Sequence, residues 1–384
     1  MVSEPEFSKK SILIRIRAER SEHFMNVNPA LWKGRSVLVT GHTGFKGGWL
    51  ALWLHQLGAK VHGYALNPPT DPSLFEVARI KSVLVSDTRA HLADLAQLRS
   101  AFKTAQPVVV FHLAAQPLVR ESYRDPLGTL MSNIMGTAHV LEAVRAAGSV
   151  QAIVLITTDK VYENHERADP YREGDPLGGH DPYSASKASA EMIASSYRAS
   201  FFSGESGHRA RVATARAGNV IGGGDWATDR LIPDCVRAFT NREAVHLRYP
   251  KAVRPWQHVL EPLSGYLQLA EHLLAPEGEA FARAWNFGPD AGGDVTVGEV
   301  AKAVAQLWGG GAQVMHATSE QDPCEAGSLR LDSTRARTEL GWKPHWSLQQ
   351  ALQSTVGWYR DWRAGSDMQS RTLAQIAGFS GDIG

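Results

Sequence analysis

The sequence predicts an α/β fold: a doubly wound parallel sheet with a smaller C-terminal α/β substrate-binding lobe. Three observations predict it. Short β-branched runs alternate with longer amphipathic stretches from Arg35 to about Ala217, a glycine-rich turn follows the first of those runs, and the alternation stops beyond Ala217. Six strands are expected, at Ser36–Thr40, Lys60–Ala65, Ser82–Ser86, Val108–His112, Ala152–Thr157 and Arg211–Arg216. Helical periodicity separates them, as in Gly47–Gln56 and Gly136–Ala147, which is the pattern of right-handed βαβ crossovers.

These elements divide the chain into residues 31–218 as a dinucleotide-binding domain and 219–365 as mainly the substrate lobe. The lobe is expected to carry a short apolar strand at Trp285–Phe287, while a segment near 255–275, helical over Glu261–Leu274, returns to the main sheet. Residues 366–384 read as a C-terminal tail. Residues 1–30 read as a disordered or peripheral extension, because they mix charge with one short alternating patch at Ile12–Arg17, and Met25 offers a second translation start.

Bulk composition excludes several classes. Forty Lys and Arg against 39 Asp and Glu leave a net charge of +1, without the positive field that phosphate-backbone binding needs, so no nucleic-acid partner is expected. No apolar run approaches the ~20 residues that cross a bilayer, so no membrane association is expected either. Cys235 and Cys324 form neither a disulfide framework nor a ligand spacing. No metal site and a reducing, cytoplasmic compartment are therefore the expectations.

The glycine-rich turn carries the first chemistry. Gly41-His42-Thr43-Gly44-Phe45-Lys46-Gly47 follows the strand Val37–Thr40 and opens an amphipathic stretch, giving G-x-x-G-x-x-G between a strand and a helix. Glycines there let a pyrophosphate approach the backbone, and the helix N-terminus offers N–H groups to it. A Rossmann-type dinucleotide site is the expectation, with Gly41, His42, Thr43, Gly44, Phe45 and Gly47 as contacts. The carboxylate usual at the end of the second strand is missing from Gly63-Tyr64-Ala65-Leu66-Asn67, and no Arg replaces it, so these residues leave NAD against NADP open. Asp87 after the third strand and Leu113-Ala114-Ala115 after the fourth are placed to meet adenine and the central part of the cofactor.

A second constellation follows the fifth strand. Tyr183 and Lys187 stand four apart at the start of a helical pattern, so phenol and ammonium share one face. They lie 25 residues after Thr158, which closes the fifth strand at the sheet edge where open α/β folds bind ligands. A phenol with an ordinary pKa of ~10 becomes a base near neutral pH when cations surround it. Tyr183 is then expected to take a hydroxyl proton, with Thr158 holding the same substrate oxygen.

Taken with the glycine-rich loop, Thr158, Tyr183 and Lys187 resemble the extended short-chain dehydrogenases that act on nucleotide sugars. Thr158-Asp159-Lys160 with Tyr162-Glu163-Asn164 narrows the likeness to the CDP-glucose 4,6-dehydratases, as do Gly222-Gly223-Gly224-Asp225-Trp226, Arg254-Pro255-Trp256-Gln257-His258 and Leu340-Gly341-Trp342-Lys343-Pro344. The resemblance covers about Trp32 to Trp362. It implies bound NAD, CDP-glucose as substrate, and a homodimer or dimer of dimers built from helices near Ser132–Ala147 and Ser186–Phe201. It also implies oxidation at sugar carbon 4, elimination across carbons 5 and 6, and reduction at carbon 6. Asp159 then fits the acid that protonates the departing hydroxyl, and Lys160 the base that takes the carbon 5 proton. Asn219 and Arg254 become candidates for the phosphates of the substrate. A 4-epimerase or another dehydratase would use the same Tyr and Lys without needing Asp159 and Lys160, and an NAD-sensing regulator would need neither group.

Overall fold

The computed structural model describes residues 27–203, 208–290, 294–316 and 328–381. The Ile12–Arg17 patch and Cys324 lie outside the described residues. Six strands open the fold: β1 (Ser36–Thr40), β2 (Lys60–Ala65), β3 (Ser86–Arg89), β4 (Val109–His112), β5 (Ala152–Ile156) and β6 (Arg211–Ala217). Beyond them come β7 (Asn219–Ile221), β8 (Val245–Leu247), β9 (Val253–His258), β10 (Ala284–Phe287), β11 (Asp294–Thr296) and β12 (Val314–His316).

The main sheet has seven strands in the order β10-β6-β5-β4-β1-β2-β3, and every neighbouring pair is parallel. Helices cover both faces, so β5 is apolar throughout and β1 and β4 carry apolar runs, Val37–Val39 and Val109–Phe111, that are buried on both sides. The chain winds outward in one direction from β1 to β3 and in the other from β4 to β10. Between β1 and β4 it therefore leaves a crevice at the C-terminal strand ends, where such sheets bind ligands. Away from the main sheet, β11-β9-β7 and β12-β8 make two small sheets.

The helix Phe45–Gln56 is apolar nearly all round, with Gly47 through Leu54 buried. Its second neighbour explains this: the helix Met368–Gly381 packs on its outer side, with Phe379 edge-on to Trp53 at 5.7 Å. The expected C-terminal tail is thus a docked helix over most of its length, burying Met368, Ile376 and Phe379. At the other end, the part of the expected N-terminal extension that is described is pinned too, since Glu271 accepts from the Asn28 backbone N–H at 2.8 Å and from Trp32 Nε1 at 2.6 Å. Burial pushes the Glu271 carboxyl up to about 7.

Two strand assignments need correction. The third strand is Ser86–Arg89, not Ser82–Ser86, and Ile80–Val83 forms a short 3-10 turn instead. The apolar run Val83-Leu84-Val85 was misleading because β3 is an edge strand that tolerates polar residues. Its register on β2 is supported by a hydrogen bond of 2.8 Å between His62 Nδ1 and Ser86 Oγ. The second correction concerns Trp285–Phe287, expected in the smaller lobe. It lies in β10, which pairs parallel with β6 as the seventh strand of the main sheet. The helix Leu260–Leu274 packs on β5 and β6, as the return segment required.

Candidate active site

The loops at the C-terminal ends of β1, β4, β5 and β6 converge on one cleft of about 860 Å³. It is lined by Gly41, Thr43, Gly44, Phe45 and Gly47 after β1, and by Leu113, Ala114 and Ala115 after β4. Thr158, Asp159 and Lys160 line it after β5, Tyr183 and Lys187 from the next helix, and Asn219 and Arg254 from β7 and β9. Residues spread over more than 200 positions of sequence therefore share one wall system.

Local structure fixes the reacting groups. Asp181 caps the helix Pro182–Phe201, its carboxylate accepting from the Ser184 backbone N–H at 2.9 Å, with Pro182 at the first helical position. Such a cap contributes about 1 kcal/mol, and here it fixes the turn that carries Tyr183. Burial raises the Tyr183 phenol to about 12, while the Thr158 hydroxyl within hydrogen-bonding reach favours the phenolate. Lys187 donates from Nζ to the Ile156 carbonyl at 3.1 Å, and burial lowers it to about 8. Between them these groups can hold a hydroxyl oxygen and remove its proton once a further positive charge lowers the phenol.

Behind Thr158 lies the second pair. Thr158 Oγ1 donates to Asp159 Oδ1 at 2.9 Å, and Lys160 Nζ stands 3.5 Å from the same oxygen. The other oxygen, Asp159 Oδ2, is buried with no hydrogen bond among the described residues. Lys160 keeps 27% of its side chain exposed, so it reaches into the cleft from a short 3-10 turn.

The loop after β1 meets the steric demands of a dinucleotide. Gly41 has φ 78°, and a Cβ there would sit 2.6 Å from the Ala114 nitrogen. A Cβ on Gly47 would stand 2.1 Å from the Gly41 carbonyl oxygen, so the turn closes only with glycine. Gly44 caps the helix Phe45–Gln56 without any side-chain hydrogen bond, leaving its first N–H groups for a ligand phosphate.

Two sequence-predicted contacts stand elsewhere. His42 is fully buried behind the loop, its Nε2 2.9 Å from Asp87 Oδ1, and Arg89 holds the same carboxylate at 2.7 and 2.9 Å. Asp87 lies within β3 rather than after it and faces a separate surface hollow with Arg79 and Lys81. Ala90, His91 and Leu92 line the main cleft where Asp87 was expected, because the strand starts four residues later than predicted. Sequence reasoning also passed over Lys46, inside the quoted motif. It lines the cleft, and burial together with the charge of Arg230 lowers it to about 7. Arg120, Asp225, Asp229, Arg230 and Arg248 complete a charged wall that no spacing in the sequence announces.

Comparison with known proteins follows this geometry. Residues 38–355 match the family model described as GDP-mannose 4,6 dehydratase. The chain belongs to that family. A similar protein of this kind is a CDP-glucose 4,6-dehydratase of Salmonella typhimurium, 48% identical over 355 residues, covering 92% of this chain and 98% of the relative. Among solved structures, MoeE5 in complex with UDP-glucose and NAD superposes with a TM-score of 0.70 at 26% identity, covering 86% of this chain and all of that one. A dTDP-glucose 4,6-dehydratase from Bacillus anthracis in complex with NAD shares the fold, with a TM-score of 0.70 at 22% identity over 88% of this chain and 100% of that one. The family's seven-stranded parallel sheet is the one described above.

Proposed function

We propose that this chain is a CDP-glucose 4,6-dehydratase, forming CDP-4-keto-6-deoxy-D-glucose and water through tightly held NAD. The observation that carries the reading is Asp159 and Lys160 beside Thr158 and Tyr183 in one cleft, in a chain 48% identical to a CDP-glucose 4,6-dehydratase. A 4-epimerase has no elimination to perform and no use for that pair.

Gly41, Thr43, Gly44, Phe45 and Gly47 would hold the pyrophosphate of NAD, with Leu113, Ala114 and Ala115 beside its central part, and the bound cofactor would supply a hydride acceptor for carbon 4 and a donor for carbon 6. Tyr183 takes the carbon 4 hydroxyl proton, with Thr158 bonded to the same oxygen. Lys187 supplies positive charge near the phenol. The carbon 4 ketone acidifies carbon 5, from which Lys160 removes the proton while Asp159 protonates the departing carbon 6 hydroxyl. Asn219 and Arg254 face the phosphates of the substrate from β7 and β9.

Incubating the purified chain with CDP-glucose and scanning for the alkali-induced absorbance of a 4-keto sugar tests the reading. Turnover of a different nucleotide sugar, with CDP-glucose inert, replaces the substrate but keeps the class. Conversion to a 4-epimer without water loss refutes it.

The assembly is a homodimer through the helices of the cofactor domain. Supporting this, Leu127, Met131, Met135, Met192 and Phe201 leave 40 to 73% of their surface exposed on or beside Gly136–Ala146 and Pro182–Phe201. Light scattering is expected to give at least twice the 41.9 kDa chain mass, and Met192→Glu with Met135→Glu to halve it. A monomeric wild type at micromolar concentration rules this face out. A cytoplasmic location rests on a sequence with only two cysteines, Cys235 and Cys324, too far apart to read as a disulfide framework. No helix of the described residues is long and apolar enough to cross a membrane.

A further inference from the structure

Three charged groups from distant segments, Arg120, Asp229 and Arg248, meet inside the cleft, and the reaction as described uses none of them. Arg248, just after β8, donates from Nη1 to Asp229 Oδ1 at 2.8 Å. Arg120, in the helix Val119–Arg124 that follows β4, brings its Nη1 within 3.4 Å of the same oxygen. One carboxylate oxygen thus ties the cofactor domain to the lobe. All three side chains line the wall that also holds Tyr183 and Asp159.

We propose that Asp229 is a resident counter-ion, occupying Arg120 and Arg248 until the diphosphate of the substrate displaces it. The inference rests on the nucleotide-sugar reading given above. Its support is geometric. Asp229 engages both guanidinium groups through a single oxygen, whereas a diphosphate offers several oxygens of higher charge to the planar fork of each arginine. The backbone of Asp229 has φ 62°, a left-handed conformation that residues other than glycine adopt at a cost. The ion pairs help to hold it there, and their loss lets the loop relax.

Accessibility separates this cluster from a permanent one. The Arg216–Glu191 pair is 3% and 4% exposed, and Thr157, Thr214 and Tyr162 complete its hydrogen bonds, so no ligand can exchange into it. Arg120, Asp229 and Arg248 keep 21%, 22% and 30% of their side chains exposed to the cleft. A resident carboxylate there offsets part of the positive charge of the two guanidinium groups, and a ligand must compete with it to reach them.

The test is calorimetric titration of the full chain with inorganic pyrophosphate, CDP and CMP. Removing the competitor in Asp229→Asn is expected to tighten pyrophosphate and CDP by roughly 5- to 10-fold. Arg248→Met is expected to weaken both diphosphates. Unchanged or weaker diphosphate binding in Asp229→Asn overturns the proposal, because a carboxylate that merely orients the arginines would be missed. Asp229→Ser gives the same reading should the amide disturb folding, which circular dichroism reports. Pyrophosphate carries no base or sugar, so its response judges the counter-ion even if CDP-glucose proves inert. Turnover of CDP-glucose with no change in pyrophosphate affinity would leave the dehydratase reading standing and remove this one.

Discussion

Tyr183→Phe is expected to lower kcat with CDP-glucose by about 10² to 10⁴-fold, and to leave the fold in place. Tyr183 is the group that starts the cycle, and the cleft around it is built to make its proton movable. Burial alone works against that, raising the phenol to about 12. The Thr158 hydroxyl opposes the rise directly, and the charge of Arg230 adds to it. Lys187, one helical turn on, supplies an ammonium tethered to the Ile156 carbonyl. Phenylalanine keeps the ring and its packing but removes the atom that accepts the proton, so the loss falls on kcat more than on KM. No 4-keto sugar of any kind should form, because oxidation at carbon 4 precedes everything else. Retention of more than about a tenth of wild-type turnover would mean that another group accepts that proton.

Much of this site was legible in the sequence because its groups sit next to strand ends that are themselves legible. The glycine-rich loop is placed by Val37-Leu38-Val39, and Thr158 by Ala152–Ile156, both fully apolar runs with an obvious end. Tyr183 and Lys187 are placed by a helix whose cap and first proline are visible as Asp181-Pro182. The position of Asp87 relative to its strand was misplaced for the complementary reason. Its strand is a polar edge, Ser86–Arg89, while the apolar run Val83-Leu84-Val85 only leads into it, the Val85 N–H bonding the Val61 carbonyl and 61% of Val85 lying exposed. Hydrophobicity set the strand bounds too early, so the residues that follow the strand and line the main cleft are Ala90, His91 and Leu92.

Long-range assembly was less legible. Trp285–Phe287 is a short apolar run that any sheet could bury, and only its parallel register on β6 decides which one does. The helix Met368–Gly381 shows weak periodicity from sequence because polar Thr372 and Gln375 face inward, where Trp358 Nε1 donates to Thr372 Oγ1 at 3.0 Å and Gln375 donates to the Ser354 carbonyl. The charged wall of Arg120, Asp229, Arg230 and Arg248 joins segments more than 100 residues apart, and no local spacing encodes such a meeting.

Asp159→Asn and Lys160→Met are expected to stop the reaction later than Tyr183→Phe does, and at two different bonds. Asparagine preserves the shape of Asp159 and can still accept from Thr158 Oγ1, but the amide nitrogen that replaces the buried, unpartnered oxygen cannot serve as a general acid. Carbon 4 oxidation then proceeds while protonation of the departing hydroxyl slows by about 10² to 10⁴-fold. Mass spectrometry of the quenched enzyme should find a 4-keto-glucose nucleotide that has not lost water. In deuterated water this variant should still exchange the carbon 5 hydrogen, because the ketone acidifies it and Lys160 remains. Lys160→Met removes the Nζ nitrogen that stands 3.5 Å from Asp159 and is expected to abolish the exchange as well as the dehydration. The two variants therefore divide a single loss of product into a failed leaving group and a failed proton abstraction. Normal exchange in Lys160→Met would assign the carbon 5 proton to a different base, with Lys46 the first to examine, since it lines the same cleft and is lowered to about 7.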